Sequence, residues 1–557
     1  MKESSRQEQL WIFLGGWFIL NLLQAACTSL FHDEAYYWYL AQRPSMGYSE
    51  HAPGVMILIW LGQWIPGELG VRFFPMLLNT VAVGIIAQLT QPKHYRDFFL
   101  ILTGIIGLHV IAFFAAPDAP LFFMAAVFWW AYQRYLESDS WQRVVILATV
   151  IALMLYSKYH GAMIVFFTVL SNPALWRKPS FWITAGLALL LFFPHLLWLF
   201  QDGFGTFLFH LGDRNPGPWY PGRTFEFILG FVLLAGPFAA FFLIPSLAQK
   251  SERSSWEKAL VWTFWGVLGF LILLSFRSHI EVNWAASAMI PMVIIGYRNL
   301  EKNPRALAWL KRLSLVSIVL VVVLRAYLVV DFFPDSFSYR NEIHGWEEWA
   351  EEVRQQADGN PVVFMNWYQY PSKYAFYSRE PVYNFTNPYY HPTQISEWTE
   401  EALLQNEPVF LVSTTHFQFT DTLAGPDRLF FTKEIPAFRS FSHLQAETED
   451  LTWSKSQENQ TYKVLLTQKA DTIANVVRED NVRITGILYD GSQQALTLIQ
   501  EPTLSATFQP GIPVEFDLPI YNLDRLEPGT YRFAICLSVN QTIPTKNSQW
   551  LEVEVTP

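Results

Sequence analysis

Long apolar segments follow one another through the first 330 residues of this 557-residue chain. Eleven of them are long enough to cross about 30 Å of hydrocarbon, if tilt and short segments are allowed for. They lie near residues 10–30, 70–90, 98–115, 119–135, 143–157, 160–172, 180–200, 224–247, 258–275, 284–297 and 312–330. The first segment is too long for the apolar region of a signal peptide, so it is expected to be a retained helix. The pattern predicts a multi-span α-helical membrane protein with about eleven transmembrane helices.

The balance of charge changes near Asp331. Residues 1–330 carry 23 Lys and Arg against 17 Asp and Glu, whereas residues 331–557 carry 15 against 31. With a cytoplasmic N-terminus, sixteen positive residues fall in the inner segments and six in the outer loops. Because Lys and Arg are enriched on the cytoplasmic side, this is the favoured orientation, and an odd number of spans then puts the acidic part outside the cytoplasm. We therefore expect a multi-pass protein of the inner (plasma) membrane with an extracytoplasmic C-terminal part.

The acidic part has the patterns of folded domains. Residues 331–470 contain the amphipathic stretch "GWEEWAEEVRQQ" and short β-rich runs such as "PVVFMNW" and "PVFLVS", which predict an α/β domain. Residues 471–557 have short strands with turns at "YDGSQ" and "LEPGTY", which predict a small β-sandwich-like domain. Only Cys27 and Cys536 occur, so neither a disulfide framework nor a zinc cluster is expected.

The first outer loop, residues 31–69, begins with "FHDEAYYW" and is too apolar for free solvent. Its aromatic density suits the membrane interface, and it is predicted to form two interfacial helices. The adjacent carboxylates Asp33 and Glu34 stand directly after the first span, where unpaired charge is costly. Asp33 is either a helix cap or a catalytic group, and Glu34 is a further catalytic candidate.

Further ionisable residues are predicted at the same outer face. Asp118 in "AAPDAPLFF" is either a second acidic site residue or part of an ordinary turn between prolines. Lys158 in "LYSKYHGAMIV" sits in a five-residue turn between apolar segments, where a phosphate ligand explains it better than a membrane anchor. Arg72 is open to two interpretations, an anion contact or a structural salt bridge. The candidate phosphate- or substrate-binding residues are His51, Arg72, Lys158, His160, Arg277, His279, Tyr36 and Tyr37.

Three motifs in order carry a resemblance to a known family. "FHDEAYYWYLAQRPSMGYSEHAPGVMILIWL", "APDAPLFF" and "YSKYHGAMIV" resemble motifs of the GT-C class of polyprenol-phosphate-sugar-dependent glycosyltransferases. The similar branch is the bacterial one that is related to protein O-mannosyltransferases and the lipid A aminoarabinose transferase. The resemblance covers roughly residues 10–330. It implies that Asp33 is the catalytic carboxylate, Asp118 the second acidic residue, and Lys158 a neighbour of the lipid phosphate, with His51 before Pro53 where relatives have His or Lys before a Pro-Pro pair.

The implied activity is the transfer of a sugar from a polyprenyl phosphate to an acceptor at the outer face. A carboxylate deprotonates or orients the acceptor nucleophile, and cations stabilise the departing lipid phosphate. The simplest expectation is one inverting displacement with Asp33 as base. No cofactor is required, and a divalent metal is possible but not expected. The expected partners are the polyprenyl-phosphate sugar, a lipid, glycan or protein acceptor, and membrane lipid, but no nucleic acid.

Two other functions remain open at this stage. A transporter or flippase for a lipid-linked sugar would have many spans too, although the chain has no internal repeat and its ionisable residues gather at one face. A noncatalytic glycan-binding membrane protein would leave the carboxylates and cations unexplained. In the acidic part, "YQYPSKYAFYSRE" resembles a segment of the family's extracytoplasmic domain, where Tyr370, Lys373 and Tyr377 either reach the active site or lie in a solvated loop.

Overall fold

The computed structural model consists of two compact units, which we call the helical unit (Met1–His344) and the C-terminal unit (Gly345–Pro557). The residues that the structure describes are 3–202, 219–249, 252–332, 340–386, 390, 393–415, 419, 421–448, 451–454, 460–469, 474–489, 495–497, 503–520, 526–539 and 544–556. The division falls after the predicted boundary at residue 330. The reason is that His344 hydrogen-bonds the carbonyl of Tyr327 at 3.0 Å and Ile343 packs in a cluster with Ala25 and Met76.

The described part of the helical unit is built from helices. They are α1 (Glu3–Cys27), α2 (His32–Ala41), α3 (Gly54–Gly62), α4 (Gly67–Thr90), α5 (Tyr95–Thr103), α6 (Ile106–Phe113), α7 (Asp118–Glu137), α8 (Trp141–Ser157), α9 (Gly161–Leu170), α10 (Pro179–Gln201), α11 (Pro221–Leu234), α12 (Pro237–Leu247), α13 (Ser255–Leu274), α14 (Met289–Pro291), α15 (Tyr297–Leu300), α16 (Pro304–Val329) and α17 (Arg340–Ile343). Short 3₁₀-helices cover Pro173–Arg177 and Val282–Ala288, and a π-helical segment covers Met292–Gly296.

Five helices within the described residues are long and apolar enough to cross a membrane, namely α1, α4, α10, α13 and α16. The number rises to seven if each of two bent helix pairs is one span. The chain is thus a multi-span membrane protein, but the predicted count of about eleven spans is not confirmed. Helix α8 has 17 residues and α9 has 10, so both are shorter than the roughly 20 residues that a spanning helix usually needs.

The first loop contains two short helices, as the sequence predicts. Helix α2 starts one residue after Phe31, and α3 begins at Gly54 directly after Pro53. Helices α2 and α3 pack against each other, and α3 also packs against α4. Their location at the membrane interface remains a prediction, because the structure contains no membrane.

Two bent helix pairs meet inside the helical unit. Helices α5 and α6 are bent by 78° and helices α11 and α12 by 98°. At the second bend Gly236 has a φ of +78°, and a Cβ atom there would lie 2.9 Å from the carbonyl oxygen of Gly104 at the first bend. Only glycine combines this backbone conformation with so close an approach. The two bends therefore contact each other through backbone.

A buried polar chain supports the first bend. The ring of His109 bonds the carbonyl oxygen of Thr103 at 2.8 Å, and Arg325 Nε donates to the other ring nitrogen at 3.2 Å. Since a guanidinium group only donates, His109 accepts at Nδ1 and donates from Nε2. His109 thereby satisfies a carbonyl at the end of α5 that the helix itself leaves open.

The C-terminal unit begins with an α/β layer. Its strands are β1 (Val362–Met365), β2 (Val382–Phe385), β3 (Val409–Ser413), β4 (Asp421–Ala424) and β5 (Leu429–Ile435), in the order β2-β1-β3-β5-β4. Strand β1 is parallel to β2 and β3, and β5 is antiparallel to β3 and β4. The helices are α18 (Trp346–Ala357), α19 (Gln369–Ser378) and α20 (Gln394–Glu397), with a 3₁₀-helix at Glu401–Leu403. Strands and helices thus alternate in this layer, as the sequence predicts.

The remaining strands form the predicted sandwich-like part. They are β6 (Leu444–Thr448), β7 (Leu451–Ser454), β8 (Gln460–Gln468), β9 (Ala474–Val476), β10 (Val482–Tyr489), β11 (Ala495–Thr497), β12 (Thr503–Leu504), β13 (Ala506–Phe508), β14 (Pro513–Ile520), β15 (Gly529–Ser538), β16 (Thr545–Lys546) and β17 (Leu551–Thr556). Most of their buried side chains belong to one hydrophobic cluster. The boundary predicted at residue 470 differs from the sheet pairing, because β8 pairs with β14 and β7 with β17.

Candidate functional site

Asp118 is the centre of a polar cluster in the helical unit. It is the first residue of α7, and its side chain is 7% exposed. Lys158 Nζ lies 2.8 and 2.9 Å from the two carboxylate oxygens, and Asn283 Nδ2 donates to Oδ2 at 2.8 Å. Lys158 directly follows α8, and Asn283 belongs to the 3₁₀-helix Val282–Ala288. Three separate elements thus bring a carboxylate, an ammonium group and an amide together, which we call the Asp118 cluster.

Glu34 and Arg72 form a second, fully buried pair. Both side chains are 0% exposed, and the guanidinium group bonds both carboxylate oxygens. Arg72 also donates to the carbonyl oxygens of Ala25, Thr28 and Ser29, at the end of α1 and just after it. In this geometry neither charged group presents an atom to a substrate. The roles predicted for Glu34 in catalysis and for Arg72 in phosphate binding have to be revised: the two side chains form the salt bridge that the sequence left open for Arg72.

The buried pair also connects the two halves of the predicted catalytic site. Glu34 accepts hydrogen bonds from the backbone N–H of Phe31 at 3.0 Å and of Ala115 at 2.8 Å. Ala115 stands three residues before Asp118, and Asp33 directly precedes Glu34. The segments that carry Asp33 and Asp118 are therefore held side by side. Asp33 is partly exposed in the first turn of α2, and Glu34 rather than Asp33 accepts the backbone N–H there.

His51 lies in a tight turn close to α8. The hydroxyl of Tyr37 is 3.4 Å from His51 Nε2, and the two rings meet edge to face with centroids 5.1 Å apart. Three residues later, a Cβ atom on Gly54 would lie 2.8 Å from the Cα of Ser157, so glycine permits the turn to approach the residue before Lys158. His51 is thereby brought towards the Asp118 cluster.

Tyr36 makes a similar contact with Glu50, the residue before His51. Its hydroxyl donates to Glu50 Oε2 at 2.6 Å, and the Tyr36 side chain is buried. Glu50 was not among the predicted site residues, although it stands next to His51 in the quoted motif. The feature that could have identified Glu50 from the sequence is its position as a carboxylate next to a candidate cation.

The remaining predicted cations fall into two groups. His160 precedes α9, and its ring centroid lies 4.5 Å from that of Trp284, the neighbour of Asn283, so it borders the Asp118 cluster. Arg277 is exposed, and His279 is 58% exposed with Nε2 3.7 Å from a Glu281 oxygen. Among the described contacts, none connects Arg277 or His279 with Asp118 or Lys158.

Sequence reasoning missed two more polar residues that fasten this region. His195 is buried in α10, where Nδ1 lies 2.6 Å from the carbonyl oxygen of Met46 and Nε2 lies 2.8 Å from the hydroxyl of Tyr159. Tyr159 is adjacent to Lys158. A histidine within a predicted span is by itself a reason to expect a polar partner, so the signal was present. No sequence signal identified Asn283, since an amide side chain in a loop is ordinary.

The described residues contain no group of three or more His, Cys, Asp or Glu side chains that could hold a metal ion. The expectation that no metal or other cofactor is required remains a prediction. Tyr370 and Lys373, which the sequence placed either at the active site or in a solvated loop, are buried in α19 of the C-terminal unit, so that segment is not a solvated loop.

Residues 50–198 match the family model described as dolichyl-phosphate-mannose-protein mannosyltransferase. The lipopolysaccharide core galacturonosyltransferase RgtB of Rhizobium johnstonii is 27% identical over 330 residues, which are 53% of this chain and 65% of that protein. The chain thus spans a little less than two thirds of the relative's length.

Two solved structures are similar in fold. ArnT from Cupriavidus metallidurans in the apo state has a TM-score of 0.58 at 11% identity, covering 77% of this chain and 98% of ArnT. The same protein bound to undecaprenyl phosphate has a TM-score of 0.55 at 12% identity, covering 76% and 97%. Because identities this low are informative about fold alone, we conclude from the helices and these matches that the chain is a multi-span membrane protein of the GT-C fold.

Proposed function

We propose that the chain is a membrane glycosyltransferase that moves a sugar from a polyprenyl-phosphate donor to a lipid or glycan acceptor at the outer face of the inner membrane. The observation that carries this proposal is the Asp118 cluster, with Asp33 held beside it by the contacts of Glu34. The names of RgtB and of the matching family model describe sugar transfer, and ArnT has been solved with undecaprenyl phosphate, which supports this class of donor.

The cluster has the chemistry that a lipid phosphate needs. The Lys158 side chain is 14% exposed, and its ammonium group has three donors, of which Asp118 engages part. A phosphate oxygen can therefore join the same ammonium group. Asp118 holds Lys158 in place and is itself held by Asn283, so Asp118 acts as a positioning residue in this proposal. The His51 and His160 side chains border the same region and supply further donors.

A cavity for an apolar chain begins close to Lys158. It has a volume of about 470 Å³ and lies between α7, α8, α9 and α10. Its wall includes Leu155, three residues before Lys158, and Ala162, two residues after His160, and the remaining lining residues are almost all apolar. A lipid whose phosphate binds at Lys158 has an apolar path directly next to it, which a water-soluble nucleotide sugar would not use.

In the proposed reaction Asp33 is the general base. Its partly exposed carboxylate accepts the proton of the acceptor hydroxyl while that oxygen attacks the anomeric carbon. The bond from the anomeric carbon to the phosphate oxygen breaks, and Lys158 stabilises the negative charge on the departing polyprenyl phosphate. A single displacement of this kind inverts the anomeric configuration.

The test is Asp33→Asn, which keeps the size of the side chain. Because the variant lacks a base, we expect the transfer rate to fall by roughly two to four orders of magnitude, while membrane insertion and thermal stability stay normal. The assay is sugar transfer by the purified protein from a radiolabelled polyprenyl-phosphate donor.

Asp139→Asn is the matched control, since Asp139 lies between α7 and α8 and is exposed. It should transfer sugar at the wild-type rate. Loss of a general base should lower the rate by at least about a hundredfold. If Asp33→Asn retains more than about a tenth of the wild-type rate, Asp33 is therefore not the base.

A flippase for a lipid-linked sugar is the second candidate, and the two bent helix pairs favour it, because transporters use discontinuous helices. The two functions separate in reconstituted vesicles. A flippase moves the lipid-linked sugar between leaflets without an acceptor, whereas a transferase releases polyprenyl phosphate only when the acceptor is present.

A further inference from the structure

Two consecutive residues at one edge of the five-stranded sheet have a left-handed backbone conformation. Directly after β1, Asn366 has a φ of +63° and Trp367 a φ of +36°, and neither is glycine. Each such residue costs about 1–3 kcal/mol, so the surrounding structure has to enforce it. The backbone N–H of Asn366 donates to the carbonyl oxygen of Phe385, the last residue of β2, at 2.7 Å, which fixes the turn.

Three segments meet at this carboxyl edge. They are the turn after β1, the start of α19 at Gln369, and the turn between β4 and β5 that carries Asp427 and Arg428. The Tyr370 hydroxyl donates to Asp427 Oδ2 at 2.8 Å, and Arg428 Nε donates to the same oxygen at 3.1 Å. The crevice at the carboxyl ends of parallel strands is where open α/β sheets bind ligands.

Three buried polar atoms at this edge have no hydrogen-bond partner in the described protein. They are the indole Nε1 of Trp367, Oε1 of Gln369 and Oδ1 of Asp427. An unsatisfied buried polar atom costs about 1–3 kcal/mol, and three in one place are unusual for a native fold. They comprise one donor and two acceptors.

Aromatic rings and a cation complete the arrangement. The ring centroid of Trp367 lies 5.1 Å from that of Tyr390 and 6.4 Å from that of Tyr370. The guanidinium carbon of Arg428 lies 5.5 Å from the centroids of both Trp367 and Tyr370, and its side chain is 43% exposed. A ring face packs against apolar C–H groups, and an exposed guanidinium group pairs with a carboxylate.

We propose that this edge, formed by Trp367, Gln369, Tyr370, Asp427 and Arg428, binds a saccharide, with a preference for one that carries a carboxylate. A sugar unit has the matching chemistry: hydroxyl groups that both donate and accept, and a C–H face for the aromatic rings. The binding does not depend on the transfer reaction. Its use, to hold the glycan of the acceptor, rests on the proposed function.

The test is the binding of glycosides to the full chain in lipid nanodiscs, measured by saturation-transfer NMR. The probes are the methyl glycosides of galactose and of galacturonic acid, which differ only at C6. We expect both to bind at millimolar concentration and the galacturonide to bind more tightly. Trp367→Ala and Asp427→Asn should each weaken binding about tenfold or more, a loss of about 1.4 kcal/mol. Trp367→Phe, which keeps a ring but removes the N–H, should cause a smaller loss.

The controls lie elsewhere in the same unit. Trp550→Ala changes a partly buried tryptophan of the sandwich-like part, and Asp421→Asn an exposed aspartate of β4, so both should bind like wild type. Equal binding by wild type and Trp367→Ala, or no binding of either glycoside, would overturn the proposal.

Lys158→Ala separates this site from the proposed transfer site. It should bind both glycosides normally, and a loss of binding in this variant would assign the saccharide to the Asp118 cluster and refute the inference. If instead Asp33→Asn still transfers sugar while binding maps to Trp367, the proposed mechanism fails and the saccharide site stands.

Discussion

At the scale of single residues, the structure gives the candidate carboxylates different surroundings. Glu34 is saturated by Arg72 and two backbone N–H groups. Asp118 is shared by Lys158 and Asn283. Asp33, which directly precedes Glu34, is partly exposed. Neighbours in sequence thus have different surroundings, because successive residues of a helix point to different sides.

Glu34→Gln should lower stability more than it changes chemistry. The amide cannot neutralise Arg72, and breaking a buried ion pair by removing one partner costs about 3–5 kcal/mol. Thermal unfolding of the purified protein should show a clearly lower midpoint. Adding Arg72→Met to Glu34→Gln should recover part of the loss, since no unpaired charge then remains buried. An unchanged midpoint in the single variant would show that the pair is not structural.

Lys158→Ala should raise the KM for the polyprenyl-phosphate donor. A hydrogen bond to a charged group contributes about 1.5–3 kcal/mol, so an increase of roughly ten- to a hundred-fold is expected. Lys258→Ala is the control, because Lys258 is an exposed lysine in the first turn of α13. A lower melting temperature with an unchanged donor KM would reduce Lys158 to a structural partner of Asp118.

At the scale of elements, the helical unit depends on two bends that contact each other. Helix α12 begins with Pro237, whose fixed φ suits the first helical position, after Gly236 in a left-handed conformation. The first bend relies on His109 to satisfy the carbonyl of Thr103. At these bends, glycine and proline provide the backbone conformation, and a buried histidine satisfies a carbonyl group that a continuous helix would bond itself.

Gly236→Ala tests this arrangement. The left-handed conformation costs a non-glycine residue about 1–2 kcal/mol. In addition, the new methyl group would meet the carbonyl oxygen of Gly104 at 2.9 Å. We expect a lower melting temperature and weaker transfer. Gly186→Ala in α10, where a Cβ atom has nothing within 4 Å, should have no effect. Equal stability of the two variants would refute the role of Gly236.

At the scale of the whole molecule, the proposed orientation follows from sixteen positive residues on one side and six on the other. A fluorescent reporter that folds only in the cytoplasm should be silent when fused after Pro557. The same reporter fused after Lys93, in a segment predicted to be cytoplasmic, should be bright. Strong fluorescence from the C-terminal fusion would reverse the orientation and move the proposed transfer to the other face of the membrane.

The sequence alone was sufficient for the properties that depend on local composition. Long apolar segments, the change of charge near Asp331 and the alternation of short strands and helices identify membrane helices followed by an α/β and a β-rich part. Asp33, Asp118 and Lys158 were candidates because ionisable residues at the ends of spans are rare. The resemblance of the three motifs to a known family indicated the same residues.

Only the tertiary structure decided which residues pair. Glu34 meets Arg72 across 38 positions, and Asp118 meets Asn283 across 165. The pairing of β8 with β14 likewise moves the boundary that was predicted at residue 470. The bends within two helix pairs are likewise visible only in the structure, since bent helices share the hydropathy of straight ones. Burial and pairing depend on how distant segments pack, and a window of sequence does not contain that information.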